Sequence, residues 1–507
     1  MASSAQPTTV TPEKQSPQRE PREGILARFA VLKGAMPELW VVFLVKFLAV
    51  AAYAIMNSTL VLWLSADLGY SDEYASYLVA GWSISMTVFT VLVGSLTDAI
   101  GLRKTFLLGV WICVAARLVM MITQNKLLAV AGGLVPLAMG EALGTPVLVA
   151  AIRRYSTTSQ RSISFSIFYI MMNVGFLASG FIFDFMREHL GEHARHTLPL
   201  VGVQISTYQA LFFASLIIEI ALIPILYFGI RPGAEATDEG VVIAPEQTRD
   251  SQEGFFAAIT RTVRDTVKDT GRNFAALGRQ PGFYRLLGFL MLIAFVKLIY
   301  MQMYYAYPKF GIRELGEGAP IGRLWTVTNA ALIIILVPIV GVLTQHISAY
   351  RVVTFGTAIS ALAVFILALP PTWFQGLADG WFGHWLGHGY LGLKGAVNPW
   401  YISIFFFAVL LSVGEAFYSP RVYEYAASIA PKGQEASYGA LSYVPMFLAK
   451  LIVGGVSGTL LARYCPETGP RDSTTMWLII ALIASVAPVG LVAFRRWVRV
   501  REAGRDD

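Results

Sequence analysis

The sequence predicts an all-α polytopic membrane protein of twelve transmembrane helices, arranged as two pseudo-symmetric six-helix bundles. Three observations predict it. First, 55% of the 507 residues are hydrophobic and only 14% are charged, with mean hydropathy +0.59; a soluble chain carries about 25% charged residues. The apolar residues come in long blocks, such as 41–64, 330–343 and 475–494, and not in the alternation of an outer-membrane barrel. Second, a heptapeptide recurs: GEALGTP (140–146) and GEAFYSP (414–420) stand 274 residues apart. Third, the positive residues gather in alternate loops and at the C-terminus. That places both termini in the cytoplasm and explains the net charge of +7 without nucleic acid.

The elements follow in chain order. Residues 1–37 read as a polar cytoplasmic tail without the apolar core of a signal peptide. Within it, GILARFAVLKG (24–34) reads either as a short helix on the membrane surface or as a lead-in to the first span. The N-terminal bundle, 38–230, holds spans at 38–65, 73–97, 103–124, 127–152, 160–184 and 206–230. A polar linker follows within 231–282. Its second part, 255–280, sets Phe255, Ile259, Val263 and Val267 at helical spacing opposite basic residues, the pattern of an amphipathic helix on the cytoplasmic face. The C-terminal bundle, 283–495, holds spans at 283–307, 321–345, 351–370, 400–422, 436–463 and 475–495. A basic cytoplasmic tail, 496–507, ends the chain. The stretch 370–399 is a long external loop, rich in Trp and Gly. His384 and His388 stand there at i, i+4 spacing, but the surrounding glycines argue against a helix and against a metal site. Cys113 and Cys465 form no redox or metal motif, and no cofactor is expected.

The repeat extends beyond the heptapeptide. At the same offset Gln160 matches Gln434, Tyr169 matches Tyr443, and Gly180 matches Gly454. A second pair, GSLTDAIGLRK (94–104) and GVLTQHISAYR (341–351), has an offset of 247; the long loop accounts for the difference. A duplicated half predicts both, with the substrate path between the copies.

GSLTDAIGLRK closely resembles the loop signature of the major facilitator superfamily. The resemblance implies the major facilitator fold, alternating access, and a charged conformational latch of Gly94, Asp98, Gly101, Arg103 and Lys104. FSIFYIMMNVGFL (165–177) resembles the span-five signature of the proton-dependent oligopeptide transporters, departing at Met172 and Phe176. GEAFYSPRVYEYAASIAPKG (414–433) resembles their span ten, with Glu415, Ser419 and Pro420 in place. The chain departs in the N-terminal half. Val45, Lys46 and Phe47 stand where that family has its E-x-x-E-R-F motif, and span four carries Glu141 where it has a lysine.

Charges within spans cost about 2.5–3.5 kcal/mol each on insertion scales, so they face a cavity and find partners. Lys46, Glu141, Lys297 and Glu415 fall one each on spans one, four, seven and ten, the cavity helices the superfamily resemblance implies. The expected pairs are Lys46 with Glu141 and Lys297 with Glu415, and Glu415 is the favoured proton site. Polar and aromatic residues share their stripes: Tyr53 and Asn57 on span one, and Tyr300, Tyr304 and Tyr307 on span seven. Ser166, Tyr169 and Asn173 line span five, Trp325 and Asn329 span eight, and Tyr443 and Lys450 span eleven. Packing and interface belts are the competing reading for any one tyrosine. Arg117 and Glu219 lie on scaffold helices and read as a structural pair.

The resulting expectation is a proton-coupled secondary transporter importing a small peptide-like or amphipathic solute. Its partners are that solute, protons and the lipid bilayer of the plasma (inner) membrane, and it acts as a monomer. The alternative is a proton-antiporting exporter of drugs, lipids or metabolites. Span five, reading NVGFLASGF, lacks the Gly-Pro pair of that antiporter signature. A receptor or membrane enzyme is a weaker rival, because no nucleophile elbow, HExxH or phosphate loop occurs.

Overall fold

A computed structural model describes residues 30–197, 202–243, 264, 268, 279, 281–429 and 444–499. Among them are twelve long helices. In the first half these are α1 (Pro37–Ala66), α2 (Asp72–Ile100), α3 (Leu102–Ile122), α4 (Lys126–Tyr155), α5 (Thr158–Leu190) and α6 (Thr207–Gly229). In the second they are α7 (Pro281–Tyr305), α8 (Arg323–Leu343), α9 (Ala349–Ala368), α10 (Pro399–Ile429), α11 (Val444–Tyr464) and α12 (Ser473–Ala493). Ten are apolar enough to cross a membrane by length and composition. The other two, α2 and α11, pack against each other across the halves, where Lys450 of α11 donates to Ser83 O (3.0 Å) and Thr87 Oγ1 (2.8 Å) of α2.

Each half uses the same packing scheme. In the first, α1 packs on α5 and α6, α3 on α4 and α6, and α2 on α4. In the second, α7 packs on α11 and α12, α9 on α10 and α12, and α8 on α10. The two main contacts between halves, α2 with α11 and α5 with α8, are also equivalent. An even number of spans brings both chain ends to one face of the bundle, called here the terminal end; the opposite face is the distal end.

The repeated glycines explain why the duplication stayed legible. Gly140 and Gly414, each preceding its glutamate, sit where two backbones touch. A Cβ on Gly140 would lie 2.8 Å from Gly109 O on α3, and one on Gly414 would lie 2.8 Å from Gly356 O on α9. Gly109 and Gly356 are themselves 247 residues apart, the offset of the loop repeat. Between halves, a Cβ on Gly180 would meet Val327 of α8 at 2.8 Å, and one on Gly454 would meet Ala80 of α2 at 2.4 Å. Val327 and Ala80 again differ by 247. These are small-residue helix crossings of the kind that drives association in lipid. Gln160 also has a local reason: it closes the capping box at the start of α5 with Thr157.

Several expectations are corrected. The first part of the polar linker carries regular structure. Ala234–Thr237 and Gly240–Ile243 form an antiparallel hairpin tied to the N-terminal half. Arg154 Nε donates to Ala234 O (3.0 Å), Thr158 N and Oγ1 donate to Asp238 (2.9 and 2.8 Å), and Arg231 pairs with Glu38. The long loop is also largely helical. Turns at Pro371–Phe374, Gln375–Ala378 and Trp381–His384 run into a π-turn, Trp385–Leu391. Two of its glycines fit because they pack tightly: a Cβ on Gly383 would strike Ala378 O, and one on Gly387 would strike Val397. The two histidine rings do meet, 4.7 Å apart, but His388 Nδ1 is taken by Leu393 O at 2.8 Å. Most of 255–280 lies outside the described residues, as do 1–29, the start of span eleven and 500–507.

Candidate functional site

The intramembrane charges meet different partners from those expected. Glu141 does not pair with Lys46. Its Oε1 lies 2.6 Å from Nη2 of Arg117 on α3, which also approaches Glu219 of α6 at 3.5 Å. The reason is helix packing: α3 touches both α4 and α6, so its arginine stands between their glutamates. Lys46 lies instead over the Phe168 ring of α5, 4.5 Å from its centroid, and has no ion pair among the described residues. That cation–π contact replaces a counter-ion in a desolvated place.

In the second half, Lys297 and Glu415 make no ion pair within 4 Å. Lys297 Nζ donates to Ser419 Oγ at 3.4 Å and lies over the rings of Tyr418 (4.9 Å) and Tyr300 (5.5 Å). Glu415 accepts from Asn329 Nδ2 at 3.0 Å, and the same amide donates to Ser412 Oγ at 3.0 Å. The position equivalent to Arg117, 247 residues on, is the buried Val364, and among the described residues Glu415 has no arginine. An aromatic wall of Trp325, Tyr300 and Phe407 stands beside this group.

The remaining candidates divide. Tyr53 stacks on Trp82 of α2 (6.1 Å), and Asn57 is buried one turn further along α1. Tyr304 is half-buried on α7. Tyr169 of α5 packs against a small apolar cluster of the second half, Ile333, Val340 and Ala416. Asn173 turns back to its own helix, donating to Tyr169 O at 2.9 Å. Tyr307 falls past the end of α7 and donates to Ile321 O at 3.0 Å, so it belongs to the distal end. Tyr443 lies outside the described residues. In the loop motif, Gly94 and Asp98 stand in α2, with side chains outside the described residues. Gly101 turns the chain at φ 86°, Arg103 stacks over Tyr227 (4.4 Å), and Lys104 is exposed.

The sequence reading missed a charged network that joins the halves at the distal end. Asp72 at the start of α2 binds Lys309 (2.6 Å) and Arg313 (2.8 Å), both on the short helix Tyr307–Leu315. Asp184 of α5 accepts N–H groups from Gly322 (2.8 Å) and Arg323 (2.6 Å), which caps α8 from the other half. Arg187 holds Glu192 at 2.5 Å and donates to Ala319 O at 3.0 Å, while Glu192 accepts from Gly318 N at 3.0 Å. Arg323 also reaches Glu188 at 3.2 Å. Burial alone would raise the Glu192 pKa, but Arg187, Tyr208 and the Gly318 N–H outweigh it and hold it below the ordinary carboxylate range. These contacts and the glycine crossings beneath them close the distal end. What sequence alone offers here is charge at helix boundaries, which looks like ordinary flanking residues.

The fold and these positions can be set beside known proteins. The sequence matches the profile of the Major Facilitator Superfamily over residues 42–383. The chain belongs to the major facilitator superfamily. Among solved structures it is similar to one described under structural insights into substrate recognition in proton dependent oligopeptide transporters. That match has 17% identity and TM-score 0.65, covering 91% of this chain and 99% of the other. It is similar to tetrameric PepTSo2 at 16% identity and TM-score 0.63, covering 91% and 99%. It is also similar to a bacterial homologue of the human drug peptide transporters PepT1 and PepT2, at 19% identity and TM-score 0.61, covering 91% and 98%. No curated protein matches by sequence. The chain is thus a major facilitator transporter, an integral membrane protein that moves a small molecule, with the fold of those structures.

Proposed function

We propose that this transporter is a proton-coupled importer of a small peptide-like or similarly amphipathic solute, working by alternating access. The observation that carries the reading is the pair of opposite charges on α7 and α10. Lys297 and Glu415 belong to one polar and aromatic group, yet neither neutralises the other. A solute bearing both an amine and a carboxylate answers that arrangement: its amine pairs with Glu415 and its carboxylate with Lys297. The tyrosines and Trp325 supply flat apolar surface around it, and Tyr53, Asn57 and Tyr304 are assigned to the same path. The likeness to structures of proton dependent oligopeptide transporters supports the same class.

Glu415 is also the proposed coupling site. Its hydrogen-bond partner Asn329 is neutral, and the cation of its group, Lys297, makes no ion pair with it within 4 Å. A proton on its carboxyl removes a buried charge, which lowers the cost of closing the path around it. The distal network then acts as the outer gate, and the Arg103 loop sits at the cytoplasmic side. Lys46, Lys450 and Asn173 are proposed as walls of the path and not as coupling groups. Tyr169 acts with them, through its contact with the second half.

The test is uptake into proteoliposomes under an imposed inward proton gradient, with a pool of di- and tripeptides. Wild type runs beside Glu415→Gln. Gradient-driven uptake that disappears in the variant is expected. Equal uptake in both would move the proton elsewhere, and no uptake in wild type would sink the peptide reading.

A further inference from the structure

The first half holds a charge cluster that has no counterpart in the second and that the substrate site does not use. Arg117 of α3 is fully buried between Glu141 of α4 and Glu219 of α6. Its three nitrogens are not equally served. Nη2 donates to Glu141 at 2.6 Å, and Nε donates to Ser215 Oγ at 2.8 Å, which passes the bond on to Ala52 O at 2.9 Å. Nη1 lies 3.5 Å from Glu219 but has no hydrogen-bond partner there. One cation therefore faces two carboxylates, of which it holds only one well.

Among the described residues no other cation balances the cluster. Lys46, on the adjoining face of α1, is committed to the Phe168 ring. The other titratable neighbours are Cys113 on α3 and Tyr53 on α1, neither of which is cationic. No titratable group of α2 or α5 contacts the cluster among the described residues. With both glutamates ionised, a net negative charge would be buried without compensation. Two carboxylates in one desolvated site do not both stay charged. A cavity of about 30 Å³ is lined by both Glu141 and Glu219, with Cys113, Gly140, Ala49 and Phe106 around them. It is large enough for a water molecule.

We propose that Arg117, Glu141 and Glu219 form a one-proton site, with the proton resting on Glu219 while Glu141 holds the arginine. Glu141 is the more exposed carboxylate, at 15% against 7%. A proton arriving on Glu141 from the central path weakens its bond to Arg117. The guanidinium then closes on Glu219, whose proton leaves through the cavity. One proton enters and one leaves, so the cluster is neutral before and after the exchange and carries one positive charge between the two transfers. The site stands on its own geometry; only the relay rests on the proposed proton coupling.

Infrared difference spectroscopy tests the site without any substrate. Purified full-length protein in lipid nanodiscs is titrated from acidic to alkaline pH. The spectrum is expected to show a buried protonated-carboxyl band that is lost in Glu219→Gln, displaced in Glu219→Asp and kept in Glu415→Gln. A band unmoved by either Glu219 substitution would overturn the proposal, as would loss of all such signal in Glu415→Gln. If Glu219→Gln does not fold, the Asp variant decides alone: a displaced band supports the site and an unmoved one removes it. A failed peptide-uptake experiment leaves this spectrum unchanged, so the two proposals fail separately.

Discussion

At the scale of single residues, the chemistry of the chain lies in which partner each buried charge finds. Glu141 and Glu415 share a heptapeptide and a glycine contact, yet one meets an arginine and the other an asparagine. The difference rests on one position, Arg117 against Val364, on the neighbouring helix. Removing Arg117 leaves two carboxylates buried without their cation. Arg117→Met is expected to lower stability by about 3–5 kcal/mol, and adding Glu141→Gln and Glu219→Gln is expected to recover most of it. Thermal unfolding in detergent reads this directly; an unchanged melting temperature for the single variant would show that the guanidinium holds nothing. The sequence paired Arg117 with Glu219, a contact the structure has at 3.5 Å, but it gave Glu141 to Lys46 when Glu141 is the closer partner of Arg117. A charge in a span announces its desolvation cost locally, whereas its partner depends on the rotation of another helix.

At the scale of elements, the glycines set helix spacing. Gly140 and Gly414 permit backbone contact of α4 with α3 and of α10 with α9. An added methyl at either meets backbone oxygen, which cannot move as a side-chain tip can. Gly140→Ala and Gly414→Ala are each expected to cost about 1–3 kcal/mol through overpacking. Similar losses at the two sites, measured by denaturation in detergent, would support their equivalence; a neutral result at both would remove it. The segment after α5 carries a pH prediction. Glu192 has a lowered pKa in the folded protein. Its contribution is therefore complete above the unfolded value of about 4.3 and is lost as pH falls through the lower folded value. Wild type is expected to lose stability in that acid window by more than Glu192→Gln does; parallel curves would deny Glu192 its role. Elements of apolar length were legible because about 20 consecutive apolar residues announce themselves. The hairpin at Ala234–Ile243 and the turns of 371–391 were not, because they are held by contacts to distant residues such as Arg154, Thr158 and Phe406.

At the scale of the whole molecule, two halves with one packing scheme meet along α2 with α11 and α5 with α8. The offsets of 274 and 247 carried that plan, because Gly180 and Gly454 sit at equivalent crossings. The distal network was invisible at the same level. Asp72, Asp184, Lys309, Arg313 and Arg323 belong to no repeat and no motif, and only the approach of the halves brings them together. Their arrangement defines what must break for the distal end to open. Asp72 spans to two cations, and Asp184 caps a helix that belongs to the other half.

The most direct test of alternating access is the distance between the halves at that end. Spin labels at Tyr74→Cys and Trp373→Cys, both exposed and on opposite halves, report it by pulsed electron resonance. The parent is expected to show mainly a short distance, and Asp72→Ala with Asp184→Ala to add a longer one as the halves separate. A single distance, identical in parent and variant, would mean that the network does not gate the molecule and that its halves do not rock about a closed distal end.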